Sequence, residues 1–158
     1  MATRQRDTRG VVIGVQELEK LRARFAHMRG ALSSSVWLAE KIGDQQEQSA
    51  RRRIRETKTS PSGKRWDPWS KKYAKTRKPS QSLLVSSGDL ADSITHVVRS
   101  PSEVEVGSNL DYAAAHLYGT ESLPARPYLD TEPGFADSHD REELRDIVRE
   151  FLKMELGR

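Results

Sequence analysis

Apolar residues near the start of the chain recur at steps of three and four, which is the spacing of one helix face. The first set comprises Val15, Leu18, Leu21, Phe25 and Met28. It predicts a helix that ends at Gly30. A second set predicts a helix from near Ala31 to near Glu56, which Gly43 weakens in its middle. The members of this set are Leu32, Val36, Ala39, Ile42, Gln46, Ala50 and Ile54.

A different pattern, in which every second residue faces the same way, covers residues 94–99 and 103–106. This period of two predicts two strands, and the Ser100-Pro101-Ser102 sequence between them predicts a turn. The three pieces together predict an antiparallel hairpin. Just before the hairpin, Gly88-Asp89 predicts a short helical turn with Asp89 as its cap.

A third helical pattern lies further along the chain. Asp140 is expected to cap this helix, with Glu143 at the third position of a capping box. Its apolar stripe comprises Leu144, Ile147, Val148, Phe151, Leu152 and Leu156. A short apolar run at Val11-Val12-Ile13 suggests a further strand. The expected fold class is therefore α+β, with a small, mainly antiparallel sheet packed by N-terminal helices and a C-terminal helix.

The stretch from Val104 to Leu129 holds several local signals within a short length. Gly107 is expected to end the second strand. A short helix is predicted over residues 112–118, and Gly119 is expected to end it in a left-handed conformation. The side chains that offer acceptors for the first amides of this helix are Ser108, Asn109 and Asp111.

Two prolines follow that helix, and each favours an extended conformation in the residue before it. Pro124 and Pro127 therefore predict a rigid, non-helical segment. This segment is expected to present Arg126, Tyr128 and Leu129 in a fixed order.

Charge is distributed unevenly, although the net charge is only +4. Between Arg51 and Lys78 only Glu56 and Asp67 oppose a run of cations. The cations are Arg51, Arg52, Arg53, Arg55, Lys58, Lys64, Arg65, Lys71, Lys72, Lys75, Arg77 and Lys78. The C-terminal third begins with acidic residues, namely Asp130, Glu132, Asp137, Asp140, Glu142 and Glu143. Such a bipolar chain suits head-to-tail stacking with copies or partners, and also binding to a polyanion.

Residues 58–82 are predicted to form an extended basic aromatic loop or arm. The segment is long, proline-rich and poor in apolar anchors, and loops of this length in small domains are usually functional. Docking onto a neighbouring subunit is one interpretation, since Trp, Tyr and Arg dominate interface hot spots. Single-stranded nucleic acid is another, since bases stack on aromatic rings between cations. A merely solvated loop is the third.

Each interpretation assigns its own residues. The expected docking residues are Trp66, Trp69, Tyr73, Arg126 and Tyr128. The residues expected to face nucleic acid are Arg51, Arg52, Arg53, Arg55, Lys71 and Lys72.

Composition limits what else the chain can be. With 158 residues, of which 35% are hydrophobic and 32% charged, we expect one α+β domain over residues 11–158 after a disordered basic arm at residues 1–10. Cysteine is absent, and the histidines at 27, 96, 116 and 139 show no metal-ligand spacing. We find no phosphate loop, nucleophile elbow, signal peptide or membrane span. The sequence therefore predicts a soluble protein that is not an enzyme and has no cofactor, metal or membrane partner.

Four pieces of the sequence, in the same order, resemble the virion-morphogenesis or tail-completion family of tailed bacteriophages, as found in Mu-like phages. They are Ser62-Gly63-Lys64-Arg65-Trp66-Asp67-Pro68-Trp69-Ser70, the segment from Leu83 to Ile94, Val106-Gly107-Ser108, and the run from Tyr112 through His116 and Gly119 to Pro124-Ala125-Arg126-Pro127. The resemblance covers roughly residues 15–130. The motif residues that carry it include Gly88, Gly107, Tyr112, His116, Gly119, Pro124 and Pro127.

The resemblance implies a structural protein of the virion that completes the head–tail junction (neck) or the tail end. It implies a ring of identical subunits, a hexamer or dodecamer, around the DNA passage. The implied partners are other neck, connector or tail proteins and the passing genomic DNA, and the implied location is the virion after synthesis in the bacterial cytoplasm. The alternative function is a nucleic-acid-binding accessory protein that uses residues 51–78.

His116 has two interpretations. In one, a hydrogen bond fixes the short helix against the Pro124–Pro127 segment. In the other, the ring simply packs beside Tyr112.

Overall fold

A computed structural model describes residues 15–129 and 138–157 of the chain. The predicted arm at residues 1–10, the suggested strand at residues 11–13 and the acidic residues 130, 132 and 137 lie outside the described residues. Within the described part, helices and a two-stranded antiparallel sheet confirm the α+β class.

The two N-terminal helices are α1, Val15–Ser34, and α2, Val36–Arg52, which continues as a π-helical turn over Arg53–Thr57. The prediction that Gly30 ends the first helix is wrong. The break falls at Ser35, whose extended backbone (φ −86°, ψ 104°) and side-chain oxygen, 3.1 Å from the Leu38 amide, cap α2 instead. The helical path then ends within one residue of the predicted Glu56.

The hairpin is confirmed. Strands β1, Ile94–Ser100, and β2, Glu103–Ser108, pair in antiparallel fashion, with His96 opposite Val106 and Val98 opposite Val104. The second strand runs one residue beyond Gly107, because Ser108 pairs with Ile94. The face of the hairpin that carries His96 packs on α2.

Shorter helices lie between these elements. They are α3, Lys71–Ala74, α4, Asp89–Asp92, and α5, Ala113–Tyr118. Two predicted caps are wrong. Gly88, in a left-handed conformation (φ 106°), precedes α4, while Asp89 accepts a hydrogen bond from Ser87 instead of capping. The residue before α5 is Tyr112, with no side-chain cap.

The helix α6, Ser138–Leu156, lies against α2. It begins before Asp140, so the prediction that Asp140 is the N-cap is wrong. The Asp140 carboxylate turns inward and accepts hydrogen bonds from Ser49 Oγ at 2.6 Å and Arg52 at 2.9 Å, and it pairs with the buried Arg53. Arginines of the basic run and acidic residues of the C-terminal third therefore meet within one subunit.

Apolar packing forms one cluster beneath the hairpin and the central stretch. Ile54 and Ile94 are its most enclosed aliphatic members, and Trp66 belongs to it with 7% of its surface exposed. On the other side of α2, Trp37 stacks on Phe151 of α6 at a centroid distance of 6.1 Å. The end of the predicted α6 stripe differs from expectation, since Leu156 is exposed.

A candidate interaction groove

An open groove of about 650 Å³ runs between the segment 68–90 and the segment 112–126. Seven of the residues singled out from the sequence line it, although they come from three separate stretches. They are Trp69, Tyr73, Gly88, Tyr112, His116, Pro124 and Arg126. The groove is therefore where the structure brings the sequence signals together.

Leu90 and Arg126 are the buried residues of the lining and form the floor of the groove. The chain around Arg126 is fixed to the core through backbone carbonyls. The Trp66 indole Nε1 donates to the Pro127 carbonyl at 3.1 Å, and the Tyr128 hydroxyl donates to the Ala113 carbonyl at 3.0 Å. Arg53 donates to the Tyr128 carbonyl at 3.3 Å. Burial raises the pKa of Tyr128 to about 12, so its hydroxyl remains a donor at neutral pH. The segment after Pro124 thus belongs to the packed interior.

Gly119 allows the chain to fold back against α5. Its φ of 77° is positive, as the sequence predicted, but its ψ of 175° lies outside the left-handed helical region that was expected. A Cβ there would lie 2.7 Å from the Ala125 amide nitrogen. Only glycine accommodates both the conformation and the contact. The return is secured by the Arg126 amide, which donates to the His116 carbonyl at 2.8 Å.

His116 therefore combines parts of both interpretations. Its backbone carbonyl fixes α5 against the proline segment, while its ring packs edge-on beside Tyr112 at 5.8 Å. Its buried ring nitrogen Nδ1 has no hydrogen-bond partner among the residues that the structure describes. Burial, aided by the charge of Arg126, lowers the pKa of His116, so the ring is neutral at pH 7.

Arg126 is the main charged group of the floor and is only 4% exposed. Its Nη2 donates to the Asp67 carbonyl at 3.2 Å, but its Nε has no hydrogen-bond partner in the described part of the chain. Within residues 15–129 and 138–157 it forms no ion pair. Burial lowers the pKa of Arg126, opposed by the charges of Asp67 and Tyr73. A buried guanidinium without an ion-pair partner is costly to maintain.

The rim of the groove is aromatic and more exposed. Trp69 meets Tyr73 edge-to-face at 5.9 Å, and the Arg77 guanidinium lies 4.4 Å from the centroid of the Tyr73 ring. Tyr112 stands exposed on the opposite wall. Leu84, also in the lining, has an unusual positive φ of 59°. The sequence placed Arg77 only in the basic run and Leu84 only in a family motif, and it predicted neither as a docking residue.

The five predicted docking residues divide into two groups. Trp69 and Tyr73 remain accessible on the rim. Trp66, Arg126 and Tyr128 are buried by their own chain. Trp66 lies in the predicted loop, but the expectation that its ring is available for docking is wrong. The segment around it is anchored further by an antiparallel bridge between Thr59 and Arg65.

The residues predicted to face nucleic acid also divide. Each of the four arginines already has partners: Arg51 with Glu47 and the Ile94 carbonyl, Arg52 and Arg53 with Asp140, and Arg55 with Asp92. Lys71 and Lys72 are exposed on α3. Any phosphate contact by the arginines would compete with these pairs, whereas the lysines are accessible.

Two kinds of feature do not occur among the described residues. No group of three or more His, Asp or Glu side chains there is arranged to hold a metal ion. None of the helices in that part of the chain is long and apolar enough to span a bilayer.

The fold and groove define a small α+β protein with an open aromatic groove. The model of the phage virion morphogenesis family matches residues 16–153, and the chain belongs to that family. The resemblance in the sequence motifs is thereby confirmed, and the protein has a structural or assembly role in a bacteriophage virion. No curated protein and no solved structure matches the chain.

Proposed function

We propose that the chain is a structural subunit that completes the neck or tail end of a tailed-phage virion, as a closed ring of identical subunits around the DNA passage. The observation that carries this proposal is the groove, where accessible aromatic residues surround a floor fixed to the core. Trp and Tyr are favoured anchors in protein interfaces. A preorganised groove also binds at a lower entropic cost than a flexible loop.

A ring requires two different patches on each subunit, because its interfaces are heterologous. The groove supplies one patch. The second is an apolar strip on α1, where Leu21 and Phe25 are exposed, Phe25 by 58%. The strip lies on a separate helix, and Met154 and Leu156 of α6 are exposed as well. The two patches differ in chemistry, as head-to-tail contacts require.

The test is complementation of a phage that lacks the gene, with variants supplied in the host. The double variant Trp69→Ala/Tyr73→Ala should reduce the titre of infectious particles at least tenfold while the melting temperature of the purified subunit changes little. Val97→Ala is the matched control, because Val97 is exposed on the hairpin away from the groove. Full complementation by the double variant would refute the proposed role of the groove in assembly.

The alternative function is a nucleic-acid-binding accessory protein, and one observation favours it. Exposed lysines of the basic segment flank the aromatic pair of the rim in the sequence. They are Lys64, Lys71, Lys72, Lys75 and Lys78. True phosphate contacts would make the affinity for DNA fall steeply with salt, with a logarithmic slope of about −0.9 per contact. A slope near zero would exclude this alternative.

A further inference from the structure

We propose that the groove is a carboxylate-binding site, which takes an acidic peptide segment from an adjacent virion protein. The segment would place a Glu or Asp side chain against Arg126 and a neighbouring apolar side chain against the aromatic rim. This inference rests on the proposed assembly role only for the source of the segment, since the chemistry of the site follows from the groove.

Arg126 is buried without a counter-charge among the described residues. The residue is only 4% exposed, and among the described residues its Nε has no hydrogen-bond partner. Buried charges in proteins are usually paired. The structure pairs its other buried arginine, Arg53, with the carboxylate of Asp140. Among the described residues nothing provides Arg126 with an equivalent, because Asp67 acts on it through a backbone carbonyl and at longer range.

His116 adds a second group with unused hydrogen-bonding capacity to the groove. Its buried Nδ1 lacks a partner, as does Arg126 Nε, and both residues line the same groove. A carboxylate has two oxygens and accepts several hydrogen bonds, so a single bound side chain is able to satisfy a guanidinium and a ring N–H together. The neutral His116 ring supplies such a donor in its Nδ1–H tautomer.

The volume and the lining of the groove suit a peptide segment. The volume of about 650 Å³ falls in the range of roughly 300–1,000 Å³ typical of ligand sites, so it admits a short peptide segment. Trp69, Tyr73 and Tyr112 form apolar walls, and Leu123 adds an aliphatic surface. The lining has two arginines against one carboxylate, that of Asp89. A peptide segment with an anionic residue beside an apolar one matches the excess of arginine and the apolar walls.

Nucleic acid fits the floor less well. A phosphate would need to reach a guanidinium that is almost wholly buried, whereas the lysines of the 64–78 segment that attract a DNA backbone are exposed and do not line the groove. A carboxylate at the tip of a side chain is narrower and extends further from its backbone. The groove therefore favours a protein ligand.

The experiment is a titration of the isolated full-length chain, followed by ¹⁵N chemical shifts, with the dipeptide N-acetyl-Glu-Phe-amide and its uncharged counterpart N-acetyl-Gln-Phe-amide. The acidic dipeptide should bind at least tenfold more tightly, as expected for a charge-assisted hydrogen bond. Arg126→Gln should remove that preference. Arg99→Gln should retain it, since Arg99 is an exposed hairpin arginine outside the groove.

Folding and specificity need their own checks. If Arg126→Gln does not fold, Arg126→Lys and Tyr112→Ala replace it, and each should weaken binding of the acidic dipeptide. Equal binding of the two dipeptides, binding that ignores these variants, or stronger competition by inorganic phosphate or an oligo-dT strand would overturn the proposal. The titration uses the isolated chain and needs no assembly. A negative titration therefore refutes the carboxylate site without refuting the ring, and the site can be tested even if no ring forms.

Discussion

Gly43 offers the sharpest test of how the hairpin packs on α2. A Cβ added at this position would lie 2.7 Å from His96 Cγ and 3.0 Å from Nε2, and nearer still to Cδ2. His96 is held there by Glu47 at 2.9 Å and by Glu40 at 3.1 Å. Its ring cannot move aside without losing these contacts. Gly43 therefore marks a close approach of strand and helix, and the sequence signal of a weakened helix has a packing cause.

The magnitudes of two opposing effects decide the outcome of Gly43→Ala. Alanine favours a helix interior by about 1 kcal/mol over glycine. Overpacking costs about 1–3 kcal/mol. We expect a net loss of up to about 2 kcal/mol in the native background, from the difference of these two figures. In a His96→Ala background the clash is gone, and the same substitution should stabilise by up to about 1 kcal/mol.

The native protein, Gly43→Ala, His96→Ala and the double variant form a double-mutant cycle. Urea unfolding of these four proteins at one fixed pH gives the coupling free energy between positions 43 and 96. The expected sign reversal corresponds to a coupling of about 1–3 kcal/mol. If Gly43→Ala stabilises the protein equally in both backgrounds, the described contact between α2 and β1 is incorrect.

Three further predictions concern stability. Trp66→Ala should lower the free energy of unfolding of the free subunit by about 3–5 kcal/mol, because it empties a core site and removes a hydrogen bond. Trp69→Ala should lower it far less. Equal losses in urea unfolding would contradict the core placement of Trp66. Asp140→Asn should cost about 3–5 kcal/mol by leaving Arg53 buried without a counter-charge, and a loss below about 1 kcal/mol would argue against that pair. For His96, the hydrogen bond to Glu47 raises the pKa, opposed by burial and aided by Glu40 and Asp44. The stabilisation that protonated His96 gives the folded state should be complete below its unfolded-state pKa and lost as pH rises through its raised folded-state pKa. The difference in free energy of unfolding between the native protein and His96→Gln should therefore become smaller as pH rises.

Local patterns were sufficient to predict much of the fold. The hairpin follows from strict alternation and a proline turn, and α5 from a helical run that Gly119 ends. Both depend on neighbours in sequence. Gly30 failed as a helix end because glycine tolerates a helix interior, whereas the extended backbone and side-chain cap of Ser35 fix the break.

Long-range contacts explain what the sequence did not reveal. Trp66 is buried because Pro127 returns from 61 residues away to accept its indole hydrogen bond. Asp140 has the spacing of a helix cap, yet arginines of α2 and the π-helical turn draw its carboxylate inward. No periodicity encodes either event. The groove shows the same limit, since its wall residues were indicated singly while their convergence depends on the fold.

The most direct test of the central claim is cryo-electron microscopy of particles from a phage or prophage that encodes this chain. The account predicts density for the chain in a closed ring of identical subunits at the neck or the tail end, with the groove of each copy occupied by an adjacent protein. Absence of the chain from purified particles would contradict it. So would copies distributed over the capsid or along the tail without rotational closure, or grooves that face solvent in every copy.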